Sequence, residues 1–362
     1  MNFLIGNWLR LKKRFAVSFY LLNKNKLLGR SFVPHPRVRL FIEPVSFCNL
    51  VCKFCSYPKN LHPRTIMDDA LFQSSIDQAE AMGFESIVLT PINGDLFMDK
   101  NIIRRMGYIE NSTIKSHMFY TNFIGADAAA ITSLLAMKKL NYMEISVYGH
   151  DADSFCNITG RGMAQYRRLV ENLETLERLY HGKPDGMSIV IGVRTYRSFA
   201  FEEGTRNSLL DILGKLRQAG VLISVSSQVD NWGGAINGDD IADIEMDMTY
   251  GRDLYRKGPC GLPFDSVQIT ATGMVNACAC RDPGGSLTLG DLGTTPLAHI
   301  LSPTNDKWLK IIRDHETGDF NDVCASCGFY KSIYDQRRAI NDGFMSKDEY
   351  FDLLNSNEFH QS

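Results

Sequence analysis

Several things are missing from this chain, and each absence excludes a class of function. No uninterrupted apolar run in its 362 residues approaches the roughly 20 that a membrane-spanning helix needs. Charge of one sign is not in excess: 39 Lys and Arg against 41 Asp and Glu leave a formal −2, so no global field recruits nucleic acid. No P-loop signature and no H-E-x-x-H pair occurs, which removes two common catalytic readings. No cleavable signal-peptide pattern is present beside the nine cysteines. That combination argues against a secreted disulfide framework and for metal or redox use in a reducing cytoplasm. Residues 1–42 lack Asp and Glu altogether, yet carry Arg10, Lys12, Lys13, Arg14, Lys24, Lys26, Arg30, Arg37 and Arg39 among Trp8, Leu11, Phe15 and Phe19. A basic amphipathic segment of this kind suits an anionic membrane surface, on the inner face of the membrane. The competing expectation, favoured by how common such helices are, is a helix packed on the outside of the main domain.

What is present is a regular alternation of short apolar strands and amphipathic helices. Val38–Glu43, Ser86–Thr90, His117–Thr121, Tyr142–Val147, Ser188–Val193 and Val221–Ser226 read as strands. Between them, helices are expected over Asp68–Met82, Asn101–Ile109, Ala126–Met137, Met163–Tyr180 and Ser208–Gln218. Six such units imply an α/β fold with a parallel sheet covered by helices, as a partial barrel or an open sheet, and a site at the C-terminal ends of the strands.

The cysteines fall into two groups. Cys48, Cys52 and Cys55 have the spacing C-x3-C-x2-C just after the first strand. A compact loop can turn three thiolates onto three corners of a cubane cluster and leave the fourth iron open. The alternative, a zinc knuckle, needs a fourth ligand, for which His62 is the nearby candidate. Farther on, Val267–Thr270 and Met274–Ala277 flank a turn at Gly273 and read as a hairpin that brings Cys260 and Cys278 together. Cys324 and Cys327 form a C-x2-C pair. Four sulfurs from a hairpin and such a loop suit a four-iron cluster or zinc equally. Cys280 is expected to be a bystander and Cys156 a small buried hydrophobe.

The C-x3-C-x-Phe-C triplet, with Phe54 before its last cysteine, resembles the hallmark of the radical S-adenosylmethionine (SAM) superfamily, and the likeness extends over most of the chain. The resemblance implies a partial (β/α)6 barrel of the radical SAM type, a SAM-binding [4Fe-4S] cluster on Cys48, Cys52 and Cys55, and reductive cleavage of SAM to a 5′-deoxyadenosyl radical. Phe54 would shield the cluster or pack on adenine. The family's Gly–Gly–Glu segment, which receives the SAM amino group, corresponds here to Asn93-Gly94-Asp95, where Asp for Glu is a departure. Ser146 would touch ribose, and Val193 and Arg194 adenine or the methionyl carboxylate.

The later cysteines resemble the SPASM extension of such enzymes, or its shorter twitch form with one auxiliary cluster, a small β-hairpin/helix iron–sulfur domain. That likeness assigns Cys260, Cys278, Cys324 and Cys327 to a second [4Fe-4S] cluster. The expected organisation is a basic segment at 1–37, the barrel at 38–235, an acidic linker at 236–258, the auxiliary domain at 259–330 and a tail at 331–362. The spacing resembles that of twitch-bearing dehydrogenases of aminocyclitol biosynthesis. It implies net oxidation of an alcohol to a ketone on a sugar- or cyclitol-like small molecule, with a flavodoxin or ferredoxin as reductant. Tyr148, Arg194 and Asp230 are the candidates for the base. The alternatives are a peptide-modifying maturase, a redox-neutral epimerase, and a non-catalytic iron–sulfur electron carrier.

Overall fold

A computed structural model describes residues 2–59, 61, 63–182, 186–201, 207–251, 254–279, 281–336 and 343–356. Cys280 and His62 lie outside the described residues. The six expected strands form where the apolar runs are: β1 Arg39–Ile42, β2 Ser86–Leu89, β3 Ser116–Thr121, β4 Leu140–Tyr148, β5 Ser188–Arg194 and β6 Leu222–Ser226. They pair in parallel in the order in which they occur along the chain. Because right-handed crossovers that always step the same way put every connecting helix on one face, this order gives a barrel-type sheet. Its free edge is β6, four of whose five residues are no better than half-covered and mostly exposed.

The strands show which face is which. On β3 and β5 burial alternates strictly, and Phe119, Ile189, Ile191 and Val193 point into the core shared with the helices. Tyr120, Val190, Gly192 and Arg194 occupy the opposite, half-buried face. Helices start where short polar side chains cap them: Asp68 accepts from Ala70 N at 2.8 Å to open α1, Asp69–Ala81, and Asn207 accepts from Leu210 N at 2.9 Å to open α2, Ser208–Gln218. Such caps contribute about 1 kcal/mol each.

Three findings depart from expectation. First, a helix at Ala152–Thr159 follows β4, opened by an Asp151 capping box; Cys156 sits on it, half-buried against the core. Second, the C-terminal hairpin is not a separate sheet. Its strands, β7 Gln268–Ile269 and β8 Met274–Asn276, pair with each other and then with a third, β9 Thr288–Asp291. Through β7 they join β1 in parallel, so that one nine-stranded sheet runs through the barrel and the auxiliary region. Third, the N-terminal helix, Asn2–Leu27, meets the body through its last turns. Leu22 is buried, Asn25 Nδ2 donates to Tyr334 O at 2.8 Å, and Lys26 pairs with Glu316 at 2.8 Å. Residues 10–17 are exposed throughout. The expectation of a helix packed along the domain therefore holds only for its last turns. No helix among the described residues is long and apolar enough to cross a membrane.

Candidate iron–sulfur active site

The first cysteine loop leaves β1 and is pinned from both sides. Val51 N donates to Thr159 O at 3.1 Å and Lys53 N to Ile158 O at 3.0 Å, so the unforeseen helix after β4 supports the loop. From the other side comes Gly94: a Cβ there would stand 2.5 Å from Val45 O and 3.0 Å from Phe47 N. Only glycine permits the segment after β2 to approach the cysteine loop so closely.

Within the loop, backbone amides turn toward sulfur. Leu50 N lies 3.4 Å from Cys48 Sγ, and Tyr57 N lies 3.4 Å from Cys55 Sγ. A thiol is a weak acceptor, whereas a thiolate on iron is a good one. Burial pushes the Cys48 and Cys52 thiols well up, and Cys55 to about 11, with the neighbouring sulfurs raising Cys48 and Cys52 further. Three crowded, buried sulfurs become thiolates readily only opposite cationic iron, so the set fits a cluster.

The remaining predicted residues sort by face. Ser146, Tyr148 and Arg194 share the half-buried face, where Tyr148 is registered opposite Arg194. Arg194 Nη1 lies 3.4 Å from Ser146 Oγ, and its charge reaches Cys52. The Phe54 ring meets Tyr148 edge-on at 5.2 Å, so it packs beside the cysteines. Burial raises the Tyr148 phenol, as do the nearby sulfurs, which makes it a donor and an aromatic wall rather than a base. Arg194, a guanidinium, cannot act as a base at all. Val193 points into the core on the opposite face, so its side chain is directed away from the site. The Asp95 carboxylate is fully engaged. It accepts from Phe97 N at 3.1 Å, Asn122 N at 2.6 Å and Thr121 Oγ1 at 2.9 Å. It therefore holds the end of β3 in place rather than offering itself to a ligand. Asn122, held this way, directs Nδ2 to Cys48 Sγ at 3.5 Å and to Asn49 Oδ1 at 2.6 Å.

The second set lines a pocket with Cys260, Cys278, Cys324 and Cys327 on its wall. Burial pushes Cys324 up to about 12 and Cys327 to about 11, with Cys260 raising both. Phe329 N lies 3.2 Å from Cys327 Sγ, repeating the amide-to-sulfur pattern. His315 belongs to the same wall. Its Nδ1 faces Cys260 N at 3.4 Å, and its buried Nε2 has no hydrogen-bond partner among the described residues. Four sulfurs beside an unpartnered imidazole nitrogen on one wall fit a cluster here as well. No three donors among the described residues converge as the ligands of a single ion would. Ligands of a cubane stand farther apart.

Between the sets lies a group that spacing did not reveal as one. Asp230 pairs with Arg281 Nε at 2.7 Å, and Oδ1 accepts from Trp232 N at 2.7 Å. Trp232 Nε1 donates to Phe54 O at 2.9 Å, which ties the segment to the first loop. The Arg281 guanidinium lies over Trp232 at 5.0 Å and over Phe329 at 4.5 Å. It is close enough to both sets to draw down Cys55 and Cys327 against the larger upward effect of burial. Asp230 Oδ2 is buried without a hydrogen-bond partner among the described residues. Nothing in the spacing of the cysteines pointed to Arg281; a lone arginine three residues past Cys278 carries no motif.

With that geometry in view, the comparisons fall into place. Residues 260–328 match the SPASM iron–sulfur cluster-binding domain. No curated protein matches the sequence. Among solved structures, the chain is similar to BtrN in complex with AdoMet and 2-DOIA, at 16% identity and TM-score 0.50, covering 80% of this chain and 92% of that one. It is also similar to Streptococcus suis SuiB bound to precursor peptide SuiA, at 16% identity and TM-score 0.53, covering 84% and 72%. At these identities the likeness is one of fold. The chain shares the fold of these structures and carries, over residues 260–328, a match to the SPASM iron–sulfur cluster-binding domain.

Proposed function

We propose that the protein is a radical SAM oxidoreductase that converts a secondary alcohol of a sugar- or cyclitol-like small molecule to a ketone. Cys48, Cys52 and Cys55 would hold the SAM-binding cluster, and Cys260, Cys278, Cys324 and Cys327 the auxiliary one. Ser146 and Arg194 are placed to receive SAM's ribose hydroxyls and carboxylate, with the backbone at Gly94 near its amino group. When bound, SAM and its cluster supply the radical that removes a hydrogen atom, and the auxiliary cluster accepts the remaining electron. Asp230 Oδ2 takes the hydroxyl proton. A carboxylate in a buried, partly apolar setting between the two sets suits that task in reach and in chemistry. Tyr148 and Phe54 would exclude water from the first site. The single observation that carries this reading is Arg281, within electrostatic reach of Cys55 on one side and Cys327 on the other. Arg281 and its partner Asp230 would thus stand between the two clusters, where a substrate in reach of both would bind. A flavodoxin or ferredoxin would supply the starting electron.

The test is anaerobic incubation of the reduced protein with SAM and a panel of aminocyclitols and sugars. The reading expects 5′-deoxyadenosine and ketone in equal amounts. 5′-Deoxyadenosine with an unoxidised or epimerised product would support a redox-neutral reaction instead. Turnover only with peptides would move the substrate to the class of SuiA.

A further inference from the structure

We propose that the projecting part of the N-terminal helix is a docking surface for an anionic lipid bilayer, and that the helix lies in its interface without crossing it. The inference is independent of the reaction. Trp8, Leu11, Phe15, Phe19 and Leu22 recur at intervals of three and four, which places them on one stripe of the helix. At the docked end that stripe meets the body: Leu22 is buried, and Phe19 lies 4.7 Å from the Tyr255 ring. Beyond it the stripe continues uncovered, with Leu11 66% and Phe15 53% exposed. Trp8 to Phe19 spans about 18 Å at 1.5 Å per residue, the length of a short interfacial helix.

Charge favours lipid as the occupant. Lys12 and Arg14 border the stripe, Arg10 and Lys13 lie on the opposite face, all four are exposed, and Lys12 Nζ lies 3.6 Å from the Trp8 ring centre. All 41 acidic residues of the chain come after residue 42, so no carboxylate in this segment offsets its cations. An aromatic–aliphatic stripe bordered by Lys and Arg is the pattern that sinks into an acyl boundary while its charges meet headgroup phosphates. A bilayer is also flat, as a helix leaving the body without a groove requires. The docked end then sets the body's orientation on the surface through the Asn25–Tyr334 and Lys26–Glu316 contacts.

The experiment is vesicle flotation of the full, anaerobically purified chain. One vesicle set is phosphatidylcholine alone, and the other contains about one third phosphatidylglycerol. The proposal expects binding to the mixed vesicles, at least about ten-fold weaker on phosphatidylcholine or in high salt. Leu11→Asp/Phe15→Asp should lose binding, and Lys13→Gln/Arg14→Gln should weaken it about five-fold or more. Both variants should keep wild-type iron content and circular dichroism, because these side chains contact solvent. Absence of binding to either vesicle, or equal binding to both, would overturn it. So would sedimentation showing a lipid-free dimer abolished by Leu11→Asp/Phe15→Asp, which would give the stripe to a second copy.

Discussion

The two cysteine sets gather their sulfurs in opposite ways. Cys48, Cys52 and Cys55 lie within eight residues, on a loop whose own amides face their sulfurs and whose flanks are fixed by Gly94 and the helix ending at Thr159. Cys260, Cys278, Cys324 and Cys327 come from three separate stretches that meet only once the hairpin has joined β1 and the chain has returned past His315. A local site leaves its signature in spacing, whereas a distributed one depends on topology. On the proposed reading the local arrangement would leave a cluster iron free for SAM, while the distributed one would supply a full set of four sulfurs.

The largest effect that would break this comparison comes from the sulfurs themselves. Cys52→Ala should abolish SAM cleavage, whereas Cys324→Ala/Cys327→Ala should remove the auxiliary cluster and leave the SAM-binding one visible by electron paramagnetic resonance. Equal loss of both signals in either variant would show that the sets are not independent. Next is the residue between them. Asp230→Asn keeps the size but cannot take a proton, so ketone formation should fall about 10²-fold or more with both clusters retained. An unchanged rate would remove Asp230 from the reaction.

A smaller effect tests the joint. Glu43 ends β1 fully buried, and its carboxylate accepts from Ile92 N at 3.0 Å beside the first site and from Ala271 N at 3.2 Å in the hairpin turn. Burial raises its pKa from 4.5 to about 7 against the lowering by those amides. The folded state therefore binds the proton more tightly than the unfolded chain, so stability is greatest below the unfolded value. It falls as pH rises through about 7, by up to about 3 kcal/mol. Glu43→Gln should remove that slope in urea titrations between pH 5 and 8. If the slope persists, another group is its source. Smallest is Gly94→Ala, expected to cost about 1–3 kcal/mol through the clash with Val45 O and to lower SAM affinity without touching the auxiliary site. Wild-type SAM affinity in that variant would mean that the close approach is not needed.

Legibility followed the same division. All six barrel strands and the five longer helices between them stood out because each is a local run with its own period, and the first cysteine loop because its spacing is contiguous. The direction of the Val193 side chain was not legible because strand alternation, rather than nearness to Arg194, decides which face a side chain takes. Nor were the partners of Asp95, a buried carboxylate that accepts from the nearest amides, here those of Phe97 and Asn122. The helix over Ala152–Thr159 is only eight residues long, too short for a periodic signal. β9 and Arg281 depend on pairing across tens of residues, which no window of sequence contains.

The central claim, two clusters held independently by two cysteine sets, is tested most directly by iron, sulfide and zinc per chain after anaerobic purification. The comparison is between the wild type and Cys48→Ala/Cys52→Ala/Cys55→Ala. The account predicts about eight irons and eight sulfides falling to about four of each, with negligible zinc. Zinc in place of iron, or loss of all iron in the triple variant, would contradict it.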